Sequence, residues 1–196
     1  MDLVRSFVKK NKRLNFIILQ RKGKKHLINN YNQISAVNCC LKYTSGKYIA
    51  LLDADDLFLK NKFKVLNNII NTSKKKIIYN SYSILKNKKY YANTRHFLIR
   101  KTIWPIFPPT SCLTVEKKLF QYALKKISFK NYPTCWLDFR LAIYFSKYHF
   151  NEIIYLKKKL TIYRINEMGN DAIYKNIFSI NYWKRKYEAF LLNIKI

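Results

Sequence analysis

Lys47-Tyr48-Ile49-Ala50-Leu51-Leu52-Asp53-Ala54-Asp55-Asp56 is the stretch on which the reading of the fold turns. A short apolar run of β type stops abruptly in three carboxylates. The chain carries ten acidic residues against 39 Lys and Arg. Between Asp2 and Glu116, Asp53, Asp55 and Asp56 are the only acids, and every other charge there is basic. Successive strand residues alternate faces, so a strand running into the cluster points Asp53 and Asp55 the same way. Such a pair suits a hard divalent cation, which takes oxygen ligands. In open α/β sheets the carboxyl edge of the strands is where ligands sit. The plainer reading is that Asp favours turns, with Asp56 as the N-cap of the next helix. The Gly46 turn before the strand and the helical patterns on both sides weigh toward a site.

A chain of 196 residues can bury a real core as one domain. With 49% hydrophobic and 16% aromatic residues it is not a disordered chain. Three glycines and four prolines leave no flexible linker, and no internal repeat is visible. The net charge of +29 has two readings. One is attraction to phosphate, on nucleic acid, anionic lipid or a nucleotide. The other is a Lys- and Asn-rich composition that solvates ordinary surfaces, as runs such as Lys74-Lys75-Lys76 and Lys157-Lys158-Lys159 suggest. Cys39, Cys40, Cys112 and Cys135 form no Cys-x-x-Cys pair and read as reduced thiols of a cytoplasmic protein. No signal peptide and no apolar run of membrane-spanning length is legible.

Along the chain, Asp2–Lys10 has a helical pattern, Asn15–Leu19 reads as a buried strand, and Gln20–Asn30 as a basic loop. Asn32–Tyr43 predicts a helix with Ile34, Val37, Cys40 and Leu41 on one side, followed by the Tyr48–Leu52 strand. Asn61–Asn71 predicts a helix on Phe63, Leu66 and Ile70. Lys76–Leu85 is β-rich, and Lys88–Ala92 pairs with it through a turn at Asn87. This alternation predicts a mostly parallel α/β sheet flanked by helices. Arg95–Thr110 is irregular; Glu116–Lys126 and Cys135–Tyr148 are helices, the second burying Leu137, Leu141, Tyr144 and Phe145. Ile153–Leu156 and Leu160–Tyr163 read as short strands. The aromatic and basic tail from Ala172 is helix-compatible, either docked on the domain or lying on a membrane surface.

Several segments together resemble family-2 glycosyltransferases. They are Asn32-Gln33-x-x-Ala36-x-Asn38, Ser45-Gly46-Lys47-Tyr48-Ile49, Leu52-Asp53-Ala54-Asp55-Asp56, Pro109-Thr110-Ser111-Cys112-Leu113-x-Val115, Trp136-Leu137-Asp138-Phe139-Arg140-Leu141 and Leu160-Thr161-Ile162-Tyr163-Arg164. They run in the family's order from about Asn15 to Arg164. The resemblance implies a Rossmann-like GT-A fold over residues 1–170, with a donor and metal half at 1–92, an acceptor half at 93–170 and a C-terminal helix at 171–196. It departs from the family in two places. Leu137 stands where the family usually has Glu. The family's first strand, helix and second strand are expected to be missing ahead of Met1.

The implied reaction moves a sugar from a nucleotide-diphosphate donor, a UDP-sugar, to a glycan or lipid-linked acceptor in cell-envelope polysaccharide assembly. Mn²⁺ or Mg²⁺ would sit on Asp55, with Asp53 on the metal, the ribose or both, and stabilise the leaving diphosphate. Asn38 and Arg164 join Asp53 and Asp55 as donor-binding residues, with the basic Gln20–Lys25 loop supplementing Arg164 at the phosphates. Asp138 is the expected catalytic base of an inverting displacement, though an Asp in a helix's first turn also favours the dipole. His26, His96 and His149 receive no role. The expected location is the cytoplasm, with the inner face of the membrane open through the C-terminal helix. Two other readings stand. One is an inactive or partial glycosyltransferase. The other is a basic nucleic-acid-binding protein, disfavoured because no RNP aromatic motif, zinc finger or helix-turn-helix is legible.

Overall fold

The computed structural model describes residues 29–92, 106–127, 131–165, 174 and 176–196. The expected Asp2–Lys10 helix, the Asn15–Leu19 strand and most of the Arg95–Thr110 segment lie outside the described residues.

The sheet is built around β3 (Ile77–Lys86), buried on both faces over its first six residues. β3 turns back into β4 (Lys89–Ala92) through Asn87 and Lys88, both left-handed at φ 49° and 61°. That is the geometry of a tight hairpin, and Asn tolerates it better than Lys. β6 (Ile153–Arg164) lies parallel to β3 on one side, with a register shift at Ser81. It is one continuous strand where two short ones were expected, because the exposed Lys157–Lys159 run stays within it. β2 (Leu57–Phe58) pairs antiparallel with β6 at that edge. On the other side of β3 runs β5 (Leu113–Glu116), and beyond it β1 (Tyr48–Ala50), giving the order β1-β5-β3-β6-β2.

The sheet is therefore mixed rather than mostly parallel. β1, β3 and β6 point the same way, but β5 is inserted antiparallel between β1 and β3. A four-residue strand directly behind a proline-rich segment carries too little periodicity to be read from sequence.

α1 (Asn29–Leu41), α3 (Lys117–Lys126) and α4 (Leu137–Tyr148) cover one face. Their Ile34, Leu41, Phe120, Leu124, Leu137, Leu141 and Phe145 pack with Ile77, Tyr79, Leu113 and Val115 of the sheet. Burial of apolar area on this scale is the main term holding the layers together. Cys40 is exposed, although it shares the apolar side of the α1 pattern. α2 (Lys62–Thr72) turns inward through Lys62 and Leu66, while Phe63 is exposed and meets the edge of the Phe58 ring. α5 (Ile180–Lys195) packs on α4 through Ala189 and Leu192, beside Cys135 and Ile143. Arg140 of α4 is buried and donates to the carbonyls of Cys135 (2.8 Å), Asn131 (2.8 Å) and Tyr132 (2.5 Å), which locks the turn before α4. No helix among the described residues is long and apolar enough to cross a membrane.

Candidate functional site

β1 ends at Ala50, and the chain then crosses the end of the sheet from the β1 edge to the β2 edge. Leu51 extends the ladder by one bond, N–H to the Leu113 carbonyl at 3.2 Å. Asp53 through Asp56 then form a turn, closed by the Asp56 N–H donating to the Asp53 carbonyl at 3.1 Å. The strand alternation that would align Asp53 with Asp55 therefore does not apply. The two differ in environment: Asp53 is half-buried and Asp55 is exposed.

Three distant segments hold this turn. The Asp53 N–H donates to the Ser111 hydroxyl at 2.9 Å. Gln33 of α1 donates its side-chain amide to the Asp53 carboxylate at 3.2 Å. Asp56 is buried and accepts the backbone N–H of Arg164 at 3.0 Å, so it pins the end of β6. It is not a helix cap, because Asn61 holds that position ahead of α2. The Arg164 guanidinium donates to the Asp55 carbonyl through Nε and to the Ala54 carbonyl at 3.5 Å. Arg164 thus clamps the turn from outside, beside the exposed Asp55.

Burial, reinforced by the charges of Asp56 and Asp55, raises the Asp53 carboxyl from 3.8 to about 6, against hydrogen bonds from Thr110 and Gln33 that lower it. Burial likewise raises Asp56. Beneath the turn lies Lys62, with none of its surface exposed. Its ammonium donates to the Ser111 carbonyl at 2.7 Å and to the Thr161 hydroxyl at 3.1 Å, and sits 3.7 Å from the centre of the Phe58 ring. Burial lowers Lys62 from 10.5 to about 8, although the charge of Asp56 opposes the shift.

Residues 5–146 match the profile of glycosyl transferase family 2. The chain belongs to this family. The α/β sandwich is accordingly GT-A-like, and glycosyl transfer is the activity of the class. A second similarity is to a UDP-Glc:α-D-GlcNAc-diphosphoundecaprenol β-1,3-glucosyltransferase of Escherichia coli, 36% identical over 52 residues. That stretch covers 26% of this chain and 21% of the relative, so the chain matches only about a fifth of that protein's length.

For this family member, the sequence-expected residues divide into three groups. Asp53, Asp55 and Arg164 come together at the turn. Asn38 is exposed on α1, five residues past Gln33 and so rotated about 140° around the helix from it. Gln33, not Asn38, is the α1 side chain that reaches Asp53. Asp138 lies in the first turn of α4, where its carboxylate accepts its neighbour Phe139 N–H at 2.7 Å. It is close enough to Tyr79, on β3, to raise that buried phenol further above its ordinary range. Burial also raises the Cys112 thiol, with smaller contributions from the charges of Asp56 and Asp53. Lys62 was not singled out from sequence, and Ser111 figured there only within the Pro109–Val115 segment, with no role of its own. A Lys in the inward stripe of α2, four residues before the buried Leu66, was the available signal.

The turn fits a divalent cation through its chemistry. It offers the half-buried Asp53 carboxylate, oriented by Gln33, and the exposed Asp55 carboxylate. No cluster of three or more metal-ligating side chains occurs among the described residues. Mg²⁺ and its analogues are commonly held that way, by one or two carboxylates together with substrate phosphates and water.

Proposed function

We propose that this chain transfers a sugar from a UDP-sugar, with the Asp53–Asp56 turn as the site that binds the donor's diphosphate. The observation that carries the reading is the turn itself: the chain's only acids between Asp2 and Glu116, at the carboxyl end of β1, in a member of glycosyl transferase family 2. Asp55, and Asp53 beside it, would hold Mn²⁺ or Mg²⁺. Once bound, that cation would supply Lewis-acid stabilisation of the leaving diphosphate. Arg164 adds a fixed positive charge at the rim, and Asn38 is left with an outer role toward the donor. Gln33, Ser111 and Lys62 keep the turn in place.

Asp138 is the base that takes the proton from the acceptor hydroxyl, with direct displacement and inversion at the anomeric carbon. Tyr79 beside it is held neutral by burial, so it remains a donor at working pH. The acceptor is a glycan or a lipid-linked sugar of the cell envelope, and the reaction belongs on the cytoplasmic side of the membrane. The E. coli relative, whose name specifies a diphosphoundecaprenol-linked acceptor, supports that choice of acceptor class.

Calorimetry of UDP-sugar binding, with and without Mn²⁺, tests the reading on the full chain and on Asp55→Ala. Metal-dependent binding that disappears in Asp55→Ala is expected. A folded wild-type chain that binds no UDP-sugar in the presence of Mn²⁺ would refute it.

A further inference from the structure

Helix α5 has two faces. Glu188, Ala189, Leu192 and Asn193 are buried against the domain. Glu188 anchors that face by accepting the Thr134 N–H and hydroxyl, both at 2.7 Å. Ile180, Trp183, Tyr187, Phe190 and Ile194 follow a 3-4-3-4 spacing and are all exposed, between 43% and 86%. At about 100° per residue these five share one stripe, centred about 180° from the buried face. Ile177 and Phe178, at the entrance to the helix, extend the exposed apolar surface. An outward ridge of this size and composition is unusual for a surface helix, which ordinarily turns its apolar side inward.

The charges beside the ridge decide what fits it. Lys184 lies along one side and Lys186 along the other, with Lys195 at the C-terminal end. From residue 172 to 196 Glu188 is the only acid, and it is buried. The outer surface of α5 therefore presents apolar and aromatic side chains framed by positive charge alone. A second copy of the helix could match the 3-4 spacing. Its Lys184 and Lys186 would then face their own equivalents in the flanking positions of a paired seam, with no carboxylate to relieve them. An acidic surface with an apolar layer beneath it fits both features. Trp and Tyr at the level of the headgroups, with Lys reaching anionic phosphates, is the composition of a helix lying in a bilayer interface.

We infer that α5 is a membrane-docking surface, which lays the Ile180, Trp183, Tyr187, Phe190 and Ile194 ridge into an anionic lipid bilayer, with Lys184, Lys186 and Lys195 on the headgroups. The inference is independent of the proposed reaction, since a chain that transfers no sugar would still bind.

The test is flotation of the full chain with vesicles of phosphatidylcholine mixed with phosphatidylglycerol, and with phosphatidylcholine alone, at physiological ionic strength. A Trp183→Ser/Phe190→Ser double variant leaves the net charge at +29, so it separates the ridge from general electrostatic attraction. Its substitutions lie on the exposed face, and circular dichroism checks that the fold is kept. The wild type is expected to float with the anionic vesicles and the double variant to bind about tenfold or more weakly. Tyr90→Ser, at an exposed aromatic on β4, should bind like wild type. Equal binding by wild type and double variant would show that charge alone attracts the chain and would overturn the inference. So would a wild-type dimer that becomes monomeric in the double variant while neither binds vesicles.

Discussion

Asp53→Asn should make the ligand-free fold more stable while destroying the proposed donor site. The carboxyl of Asp53 is raised from 3.8 to about 6 by burial and by its acidic neighbours. That rise corresponds to about 3 kcal/mol of preference for the neutral form. The ionised group therefore costs the folded protein about that much at neutral pH. Asparagine removes the charge and keeps an oxygen to accept from Gln33. Loss of one side-chain hydrogen bond, from Thr110, takes back about 1 kcal/mol. The net gain is about 2 kcal/mol, or about 4–8 °C in Tm for a chain of 196 residues. Its pH dependence has a definite sign. Below 3.8 both folded and unfolded Asp53 are protonated, and the variant gains nothing. Between 3.8 and about 6 the native state holds the proton longer, so wild-type stability falls with rising pH and the advantage of Asn grows. Above about 6 the advantage is complete. Thermal melts of both proteins across that range measure it, and Mn²⁺ with UDP should raise the wild-type Tm alone. A variant that melts at or below wild type at neutral pH would refute the account of the turn as a strained cluster of like charges.

Other outcomes follow from the same structure. Asp138→Asn should lower the transfer rate roughly 10²–10⁴-fold with donor affinity and Tm unchanged, measured by steady-state kinetics beside calorimetry. Lys62→Met should abolish a pH dependence of stability: with its ammonium lowered from 10.5 to about 8, the unfolded chain binds that proton more tightly. Wild-type stability should therefore gain, relative to the variant, as pH rises from 8 toward 10.5, and urea titrations across that window check it. Arg140→Met should cost about 3–5 kcal/mol, because it strands the buried carbonyls of Asn131, Tyr132 and Cys135 that the guanidinium serves; an equilibrium denaturation curve with an unchanged midpoint would contradict it.

The helices were legible because each carries a dense apolar stripe. Leu137, Leu141, Tyr144 and Phe145 form the buried side of α4 as their spacing predicts. The hairpin after β3 was legible because Asn87 is a residue type that tolerates φ > 0. What escaped was the order of the sheet, since nothing local in Leu113-Thr114-Val115-Glu116 says that it separates β1 from β3. The Asp cluster was visible as composition, but its geometry was not. A strand rule placed Asp53 and Asp55 on one face, whereas the turn separates them by burial. Lys62 was hidden for a related reason: a lysine is read as surface unless its partners are known, and Ser111 and Thr161 are 49 and 99 residues away.

Those separations bear on how the site forms. The contacts that shape the Asp turn span 20 residues to Gln33, 58 to Ser111 and 108 to Arg164. None can form until α1, the segment before β5 and the end of β6 have reached the sheet, and contacts of such range form late and slowly. The turn is also the place where carboxylates are packed against their own charge, so it gains little from closing by itself. Arg164 and the buried Asp56 then act as a latch, because the Arg164 N–H donating to the Asp56 carboxylate ties the turn to the last residue of β6. Fraying of that strand end would release Asp56 to water, let the like charges of Asp53 and Asp55 separate, and lose the geometry of the proposed diphosphate site before the core of α1, α3 and α4 is disturbed. Donor affinity is therefore expected to fail at lower denaturant concentration than the global fold, with hydrogen exchange at the Arg164 amide reporting the loss ahead of amides in β3.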